Sequence, residues 1–201
     1  MAKPLIPAED IYRRALELLD AEGPAGLTVR RLSTELKISP RTLYQQVGNQ
    51  DELIRALVAR HFSQLKLEFE EHSDWETTAV RWCLELHRAL AEHPHITELM
   101  SIDDRQVVSD YVKPLLDSAV RAGIPRTLSI ECCRGLTNMT INHSIVEAHA
   151  RREAHHSPRT QTEVAKIAKN FSRLVGWVVA GVRAEAERSG NTGRSVVGPT
   201  T

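Results

Sequence analysis

The chain has 201 residues, of which 41% are hydrophobic and 26% are charged, and its formal net charge is zero. These values are ordinary for a globular protein, so they predict a folded core and exclude a chain that is basic along its whole length. No run of about 18 apolar residues occurs, and no basic segment followed by an apolar run opens the chain. A cytoplasmic protein without a membrane partner is therefore expected.

Charge is distributed unevenly along the chain. Residues 1–66 carry ten basic and eight acidic side chains, residues 67–125 carry five and twelve, and residues 126–201 carry eleven and six. Within residues 28–47 four basic side chains accompany one acidic residue, Glu35. This segment can meet phosphates locally while the acidic middle of the chain stays away from DNA.

The three cysteines, Cys83, Cys132 and Cys133, are odd in number and lack C-x-x-C spacing. Neither a disulfide framework nor a zinc ribbon is indicated by this arrangement. We expect buried or partly buried free thiols.

The first 40 residues have the pattern of two helices leading into a third. Apolar residues recur at helical spacing over residues 11–19, and Gly23-Pro24 predicts the end of this helix. Thr28 is suited to cap a second helix. Ser39-Pro40 then supplies the cap and the first residue of a third.

The third helix has one apolar and one polar face. Leu43 and Val47 face inward, whereas five residues are left facing outward: Arg41, Thr42, Tyr44, Gln45 and Gln46. Asn49 is suited to cap a long fourth helix with an apolar stripe. Two helices of about eight residues joined by a short turn and followed by a long helix predict a helix-turn-helix.

The remaining chain is predicted to be helical up to residue 188. Further helices are expected over residues 75–93, 96–100, 103–119, 126–153 and 160–188. Pro114 suggests a kink inside the third of these. From residue 189 the Gly, Ser and Thr content predicts a disordered tail.

One stretch of the chain carries a family pattern. Its residues are Gly26-Leu27-Thr28-Val29-Arg30-Arg31-Leu32, Ile38-Ser39-Pro40-Arg41-Thr42-Leu43-Tyr44-Gln45-Gln46-Val47 and Leu53-Ile54. They resemble the DNA-binding domain of the TetR family of transcriptional regulators, and most of all its tetracycline-repressor branch. The resemblance covers about the first 60 residues.

The helical patterns predict an all-α fold of about nine helices, and the resemblance implies how they are organised. An N-terminal three-helix helix-turn-helix domain would be followed by a C-terminal helical bundle for ligand binding and dimerisation, whose last two long helices form a four-helix interface. We accordingly predict a DNA-binding domain at residues 1–49, a ligand-binding and dimerisation domain at residues 50–188 and a disordered tail at residues 189–201.

Three residues depart from the family pattern. Lys37 stands where a glycine is often found in the turn, and a left-handed conformation would cost lysine roughly 1 kcal/mol more than glycine. Gln46 replaces the usual aromatic residue or histidine, and Gln50 replaces a lysine. Glutamine carries no charge, so at both positions a side chain that could contact a phosphate as a cation is lost.

The outward residues have the chemistry that DNA recognition requires. Arg41 can bridge guanine O6 and N7, and Gln45 and Gln46 can bridge adenine N6 and N7. Thr28, Thr42 and Tyr44 are better suited to phosphate oxygens, a role that the resemblance implies for Thr28 and Tyr44. Arg30 and Lys37 could add salt-sensitive contacts. The predicted DNA-binding set is Thr28, Arg30, Lys37, Ser39, Arg41, Thr42, Tyr44, Gln45, Gln46 and Gln50.

Purely structural roles, without any DNA contact, remain open for these residues. The polar face could be an exposed helix surface without a partner. Tyr44 could pack in the core. Arg30 and Lys37 could be merely solvated charges.

A ligand pocket should be mostly apolar with a few polar anchors. The candidates are Trp82, Leu86, His87, Met100, Tyr111, Leu115, Leu116, Leu136, Met139, Thr140 and His143. Most must be core residues. His87 and His143 lie among apolar residues, where each could be a satisfied core histidine or a polar anchor.

No metal site and no cofactor are expected from the histidine pattern. His93, His95, His155 and His156 flank a proline break and a predicted loop. A metal site needs three or four converging ligands, so surface or capping roles are favoured.

The dimer interface is predicted on the last helix. Its candidates share one apolar side: Val164, Ile167, Phe171, Leu174, Val175, Val178 and Val182. The expected partners are therefore a second copy of the chain, double-stranded DNA with a palindromic operator, and an unidentified small-molecule effector.

The sequence thus predicts a DNA-binding transcriptional regulator, by resemblance a repressor released by a small molecule. A ligand-independent regulator or an activator on the same scaffold stays open. A helical enzyme is disfavoured because the chain has no G-x-S-x-G, H-E-x-x-H or G-x-x-x-x-G-K motif.

Overall fold

The structure is a computed structural model that describes residues 6–65, 67–101, 110–154 and 158–194. For residues 110, 153, 154, 158–161, 163–165, 168 and 190–194 it describes the backbone alone. These described residues form nine α-helices and one short 3-10 helix and include no strand, which confirms the all-α prediction.

The elements are named in chain order. They are α1 (Ala8–Gly26), α2 (Val29–Glu35), α3 (Pro40–Val47), α4 (Gln50–Ser63), α5 (Trp75–Glu92), α6 (Pro94–Glu98), a 3-10 helix (Asp110–Val112), α7 (Lys113–Arg121), α8 (Arg126–Ala154) and α9 (Pro158–Arg194). Among the described helices, none combines the length and the apolar character that a bilayer span requires.

The first of two packing units comprises Met1–Leu65 and Ala91–Val107. Helices α1 to α4 and α6 lie in it. Each of α1 to α4 contributes side chains that are completely buried: Ile11, Leu19, Leu32, Leu43, Leu53 and Phe62. The two short helices α2 and α3, followed by the longer α4, match the predicted helix-turn-helix.

Helices α2, α3 and α4 each begin at a capping side chain. The hydroxyl oxygens of Thr28 and Ser39 accept hydrogen bonds of 3.1 Å from the backbone N–H three residues later. Asn49 does the same, and the Glu52 carboxylate accepts from the Asn49 N–H, which completes a capping box. Each cap contributes about 1 kcal/mol and fixes where its helix starts. The three predicted caps are confirmed.

Helix α1 is interrupted at Gly23. This glycine has φ 71° and ψ −175°, a left-handed φ that glycine adopts without a steric penalty. The chain leaves helical geometry at the predicted residue, and one more helical turn follows through Pro24 to Gly26.

The second unit comprises Lys66–Leu90 and Val108–Thr201. It contains most of α5 together with α7, α8 and α9, and the two longest helices, α8 and α9, pack against each other. Buried side chains from α5, α8 and α9 form its core, among them Leu86, Leu136 and Phe171. Cys83, Cys132 and Cys133 are also buried and free, as predicted.

The prediction of a kink at Pro114 is wrong. In the described residues a 3-10 helix ends at Val112, and α7 begins at Lys113 with the proline in its first turn. Proline suits that position because an N–H in the first turn has no partner within the helix. Residues 103–109, where the predicted helix begins, lie outside the described residues.

Other helix ends differ slightly from the predicted ones. Helix α6 begins at Pro94 rather than at residue 96, and α9 continues to Arg194, past the expected end at residue 188. Residues 195–201 of the predicted tail lie outside the described residues.

Candidate nucleic-acid interface and ligand-binding region

Helix α3 presents a polar face to the outside of the first unit. Leu43 and Val47 are 0% and 8% exposed and anchor the opposite face in the core. Tyr44 is 50% exposed, which excludes the alternative that it packs in the core. Arg41 and Gln45, one helical turn apart, are exposed beside it.

The turn between α2 and α3 holds this face in place. Lys37 has φ 54°, so the left-handed conformation considered for this position is adopted by a lysine. The Lys37 N–H donates to Thr34 O at 3.1 Å, and the Ile38 N–H donates to Ser33 O at 3.0 Å. These two bonds form a Schellman motif with a residue other than glycine at its left-handed position.

Ion pairs divide the arginines of the first unit into two groups. Glu35 accepts from Arg14 at 2.6 Å and pairs with Arg31 at 3.0 Å. The hydrogen bond from Arg14 holds the pKa of the Glu35 carboxyl below its ordinary value. By contrast, no ion pair or hydrogen bond among the described residues engages the side chains of Arg30 and Arg41. Positive charge that is not neutralised therefore lies on α3 and at the start of α2.

Hydroxyl groups flank the polar face of α3. Ser39 Oγ and Thr42 Oγ1 lie 2.8 Å apart and share a hydrogen bond. The Thr28 hydroxyl accepts its capping bond and keeps its own hydrogen for another acceptor, since a hydroxyl both donates and accepts. Thr28 and Ser39 are exposed, so both caps are accessible to a phosphate.

Two glutamines of the predicted DNA-binding set have contacts within the unit. Gln46 Nε2 donates to Ile6 O at 2.8 Å. Gln50 Oε1 accepts from the Val29 N–H at 3.0 Å, and its Nε2 donates to Leu27 O at 2.5 Å. The Gln50 amide thereby ties the start of α4 to the start of α2. These contacts join residues 23 and 40 positions apart, so no local pattern predicts them.

The predicted ligand-pocket residues divide by their position in the fold. Leu86, Leu115, Leu136 and Thr140 are completely buried core residues. Trp82 is nearly buried, and its indole N–H donates to Tyr111 O at 3.2 Å. Leu116 and Met139 are half-buried in the second unit, whereas Met100 belongs to the first unit.

His87 and His143 come together in the second unit around a buried carboxylate. His87 Nε2 donates to Glu147 Oε2 at 2.7 Å, and His143 Nε2 lies 3.9 Å from the same oxygen. Arg151 donates to the other oxygen of Glu147, whose side chain is 3% exposed. The Phe171 ring stacks on both imidazoles, with centroid distances of 4.7 and 4.5 Å.

The electrostatics of this histidine cluster follow from burial and hydrogen bonding. The hydrogen bond from His87 holds the pKa of the Glu147 carboxyl below its ordinary value, against the opposing effect of burial. Burial lowers the pKa of His143, and the neighbouring His87 lowers it further. His143 Nε2 is buried and makes no hydrogen bond among the described residues. His143 therefore favours its neutral form and has a buried nitrogen without a partner among the described residues.

The sequence pattern missed Glu147 and the contact role of Phe171. Glu147 lies one helical turn after His143, a spacing visible in the sequence, but its partner His87 is 60 residues away. Two open clefts of about 380 and 280 Å³ also lie in the second unit. Neither cleft is lined by a residue of the predicted pocket set.

The predicted dimer residues face two directions. Phe171 and Val175 are buried in the core of their own chain, whereas Leu174 and Val178 are 38% and 39% exposed. Ile167 and Val182 are half-buried, and the side chain of Val164 lies outside the described residues. Trp177, which the prediction omitted, is the most exposed large apolar side chain described, at 63%.

Comparison with known proteins bears on the first unit most directly. Residues 11–57 match the family model described as bacterial regulatory proteins, tetR family. An HTH-type transcriptional regulator of Saccharopolyspora erythraea is 30% identical over 99 residues, which are 49% of this chain and 42% of that protein. The class E tetracycline repressor protein of Escherichia coli is 42% identical over 60 residues, 28% of each chain. The matches thus span less than half the length of these two relatives.

Solved structures share the fold over most of the chain. Mycobacterium smegmatis BioQ has a TM-score of 0.69 at 22% identity and covers 89% of this chain and 98% of its own. Streptomyces coelicolor ActR in complex with actinorhodin has a TM-score of 0.67 at 20% identity, covering 91% and 98%. A BioQ bound to its natural double-stranded DNA operator has a TM-score of 0.60 at 23% identity, covering 84% and 99%. Residues 11–57 therefore match the TetR family of bacterial regulatory proteins, and the chain shares the helical fold of these solved structures.

Proposed function

We propose that this protein is a transcriptional repressor that binds a palindromic operator as a homodimer and is released by a small-molecule effector. The exposed face of α3 carries this proposal. Arg41, Tyr44 and Gln45 are exposed there, and no hydrogen bond or ion pair among the described residues holds their side chains. An arginine and a glutamine one turn apart on a capped, well-anchored helix have the chemistry that reads base edges in the major groove.

Phosphate contacts are assigned to the residues around this face. Tyr44, Thr28 and Arg30 are exposed and can donate hydrogen bonds to phosphate oxygens, which position a protein on DNA without reading its sequence. Lys37, also exposed, would add a salt-sensitive attraction. Gln46 and Gln50 are assigned to holding the unit together, because their amides bond to its backbone. We therefore assign DNA reading to residues 1–49.

Homodimerisation is supported by apolar side chains exposed on the last helix. Leu174, Trp177 and Val178 are all more than a third exposed on α9, and burial in a second copy would remove this surface from water. Two copies would also supply two recognition helices for half-sites about 34–36 Å apart. Residues 50–188 are assigned to dimerisation and effector binding.

Release by an effector is supported by the small molecules named with similar proteins. The ActR structure contains actinorhodin, and the relative from Escherichia coli is a tetracycline repressor. An effector releases DNA only if it binds more tightly to a state with low operator affinity. We propose no catalytic step, and turnover of a bound small molecule would contradict this part.

Operator binding by the full chain tests the proposal. Fluorescence anisotropy should show salt-dependent binding to a palindrome from the DNA upstream of its own gene, and weaker binding to a scrambled duplex. Replacement of Arg41 by Ala should weaken operator binding by about 1–3 kcal/mol.

Arg88→Ala supplies the matched control, because Arg88 is an exposed arginine on α5, outside the proposed interface. It should bind the operator like the native chain. Equal binding of the palindrome and the scrambled duplex, or equal losses in the two arginine variants, would contradict the proposal.

A further inference from the structure

We propose that His87, His143 and Glu147 form a binding site for a divalent transition-metal ion of the zinc class within the second unit. One ligand atom from each residue lies within 4.8 Å of the other two. Two imidazole nitrogens and one carboxylate oxygen are a donor set that zinc uses in sites that keep a fourth position open. Nitrogen donors also favour zinc, nickel or copper over magnesium and calcium, which prefer oxygen.

The distances are close to those that coordination requires. Ligands bound tetrahedrally at about 2.0–2.1 Å lie about 3.4 Å from one another. The Glu147 Oε2 atom is 2.7 Å from His87 Nε2 and 3.9 Å from His143 Nε2. These values bracket the required separation, so small rotations of the side chains would complete the geometry. An ion would then replace the hydrogen bond between His87 and Glu147.

An unsatisfied nitrogen distinguishes this cluster from an ordinary buried ion pair. The hydrogen bonds from His87 and Arg151 account for the burial of the Glu147 carboxylate. They leave His143 Nε2 buried and without a partner among the described residues. Such a nitrogen loses its hydrogen bond to water and gains nothing in return. A metal ion at Glu147 Oε2 would give it a partner.

The surroundings hold the three ligands in place. His143 and Glu147 are one turn apart on α8, so their side chains lie on the same face of that helix. Arg151 bonds to Glu147 Oε1 and thereby orients Oε2 toward the histidines, as outer partners of metal ligands do. Its side chain is half exposed, so solvent screens its repulsion of a cation. Phe171 stacks against both imidazoles and limits their rotation.

The ion would join α5 directly to α8. His87 lies on α5, the two other ligands lie on α8, and Phe171 from α9 contacts both rings. A conformation with these helices joined would be favoured by metal, and operator affinity would change with it. This consequence rests on the proposed repressor function, whereas the metal site itself does not.

Metal binding is measured on the full chain after removal of metal with a chelator. Calorimetric titration with Zn²⁺ should show one ion per chain, and Co²⁺ should give the visible absorption of a tetrahedral site. Mg²⁺ should give neither signal. His143→Asn and Glu147→Gln should each weaken Zn²⁺ binding at least about tenfold, because even the loss of an outer partner of a metal ligand costs about that much.

His149→Asn is the matched control, because His149 is an exposed histidine on the same helix. It should bind Zn²⁺ like the native chain. Circular dichroism shows which variants fold, and His143→Asn decides the question if Glu147→Gln does not fold. Native binding no tighter than that of His143→Asn, or an equal loss in His149→Asn, would overturn the site.

Operator binding with Zn²⁺ and with chelator separates the two proposals. A change in operator affinity that His143→Asn abolishes supports metal control of DNA binding. Metal binding with unchanged operator affinity overturns that control and leaves the site standing. Failure to bind any operator under either condition overturns the repressor function and leaves the metal result intact.

Discussion

The two units of the chain place their polar groups in opposite environments. In the first unit, Arg41 and Gln45 are exposed on one face of α3, and the stability of the unit depends on the opposite face. In the second unit, Glu147 and the two histidines are enclosed between helices and packed against Phe171. Recognition and stability can therefore be changed separately in the first unit but are coupled in the second.

The largest effect is expected from Phe171→Ala in the second unit. Phe171 is 1% exposed and contacts both histidine rings, so its removal leaves a cavity and should lower the free energy of unfolding by about 3–5 kcal/mol. Val120→Ala, in the same unit but 37% exposed and outside the proposed dimer interface, is the control and should cost far less. Urea unfolding at one fixed protein concentration measures the free energies of unfolding of both variants. Similar losses would mean that the cluster is not part of the core.

The two faces of α3 should respond differently to truncation. Leu43→Ala removes a side chain with no exposed surface and should lower the free energy of unfolding by about 2–5 kcal/mol. Gln45→Ala should change it by less than about 0.5 kcal/mol and instead weaken operator binding by about 1–3 kcal/mol. Urea unfolding and fluorescence anisotropy separate the two effects. A stable Leu43→Ala chain would contradict the assignment of faces.

Lys37→Gly tests the strained turn in front of α3. Glycine adopts the φ of 54° without steric cost, so the variant should be more stable by about 1 kcal/mol, a rise in melting temperature of about 2–4 °C. Gly48→Ala is the reverse change at φ 74° and should lower the melting temperature. Calorimetry that found no gain for Lys37→Gly would show that the lysine is not strained. The same variant should bind operator somewhat more weakly, because a cation is lost.

A small pH-dependent effect is expected from Glu76 in the second unit. The hydrogen bond from Arg183 holds the pKa of Glu76 below its ordinary value of 4.5. A carboxyl with a lowered folded pKa stabilises the protein above its unfolded pKa, and this contribution is lost as the pH falls through the folded pKa. Native chain and Glu76→Gln should therefore differ by a few tenths of a kcal/mol at pH 7, because a half-exposed pair is screened. Urea unfolding should show this difference shrinking below about pH 4.5; a difference independent of pH would rule out the pair.

The same contrast explains what could be predicted from the sequence. The caps at Thr28, Ser39 and Asn49 and the polar face of α3 depend on residues within one or two helical turns, so local spacing was sufficient to find them. The predicted kink at Pro114 is wrong because the sequence pattern does not show whether a proline begins a helix or interrupts one. The contacts of Gln46 and the pairing of His87 with Glu147 join residues 40 and 60 positions apart, and only the folded chain brings them together.

The central claim is that the outward face of α3 reads DNA, with Arg41 at a base and Tyr44 at a phosphate. It is tested most directly by measuring the binding of native chain, Arg41→Ala and Tyr44→Phe to a set of operators that differ at single base pairs. Arg41→Ala should lose preference at one base pair, whereas Tyr44→Phe should weaken binding to all operators alike. An equal loss of preference in both variants, or native preference retained in Arg41→Ala, would contradict the account.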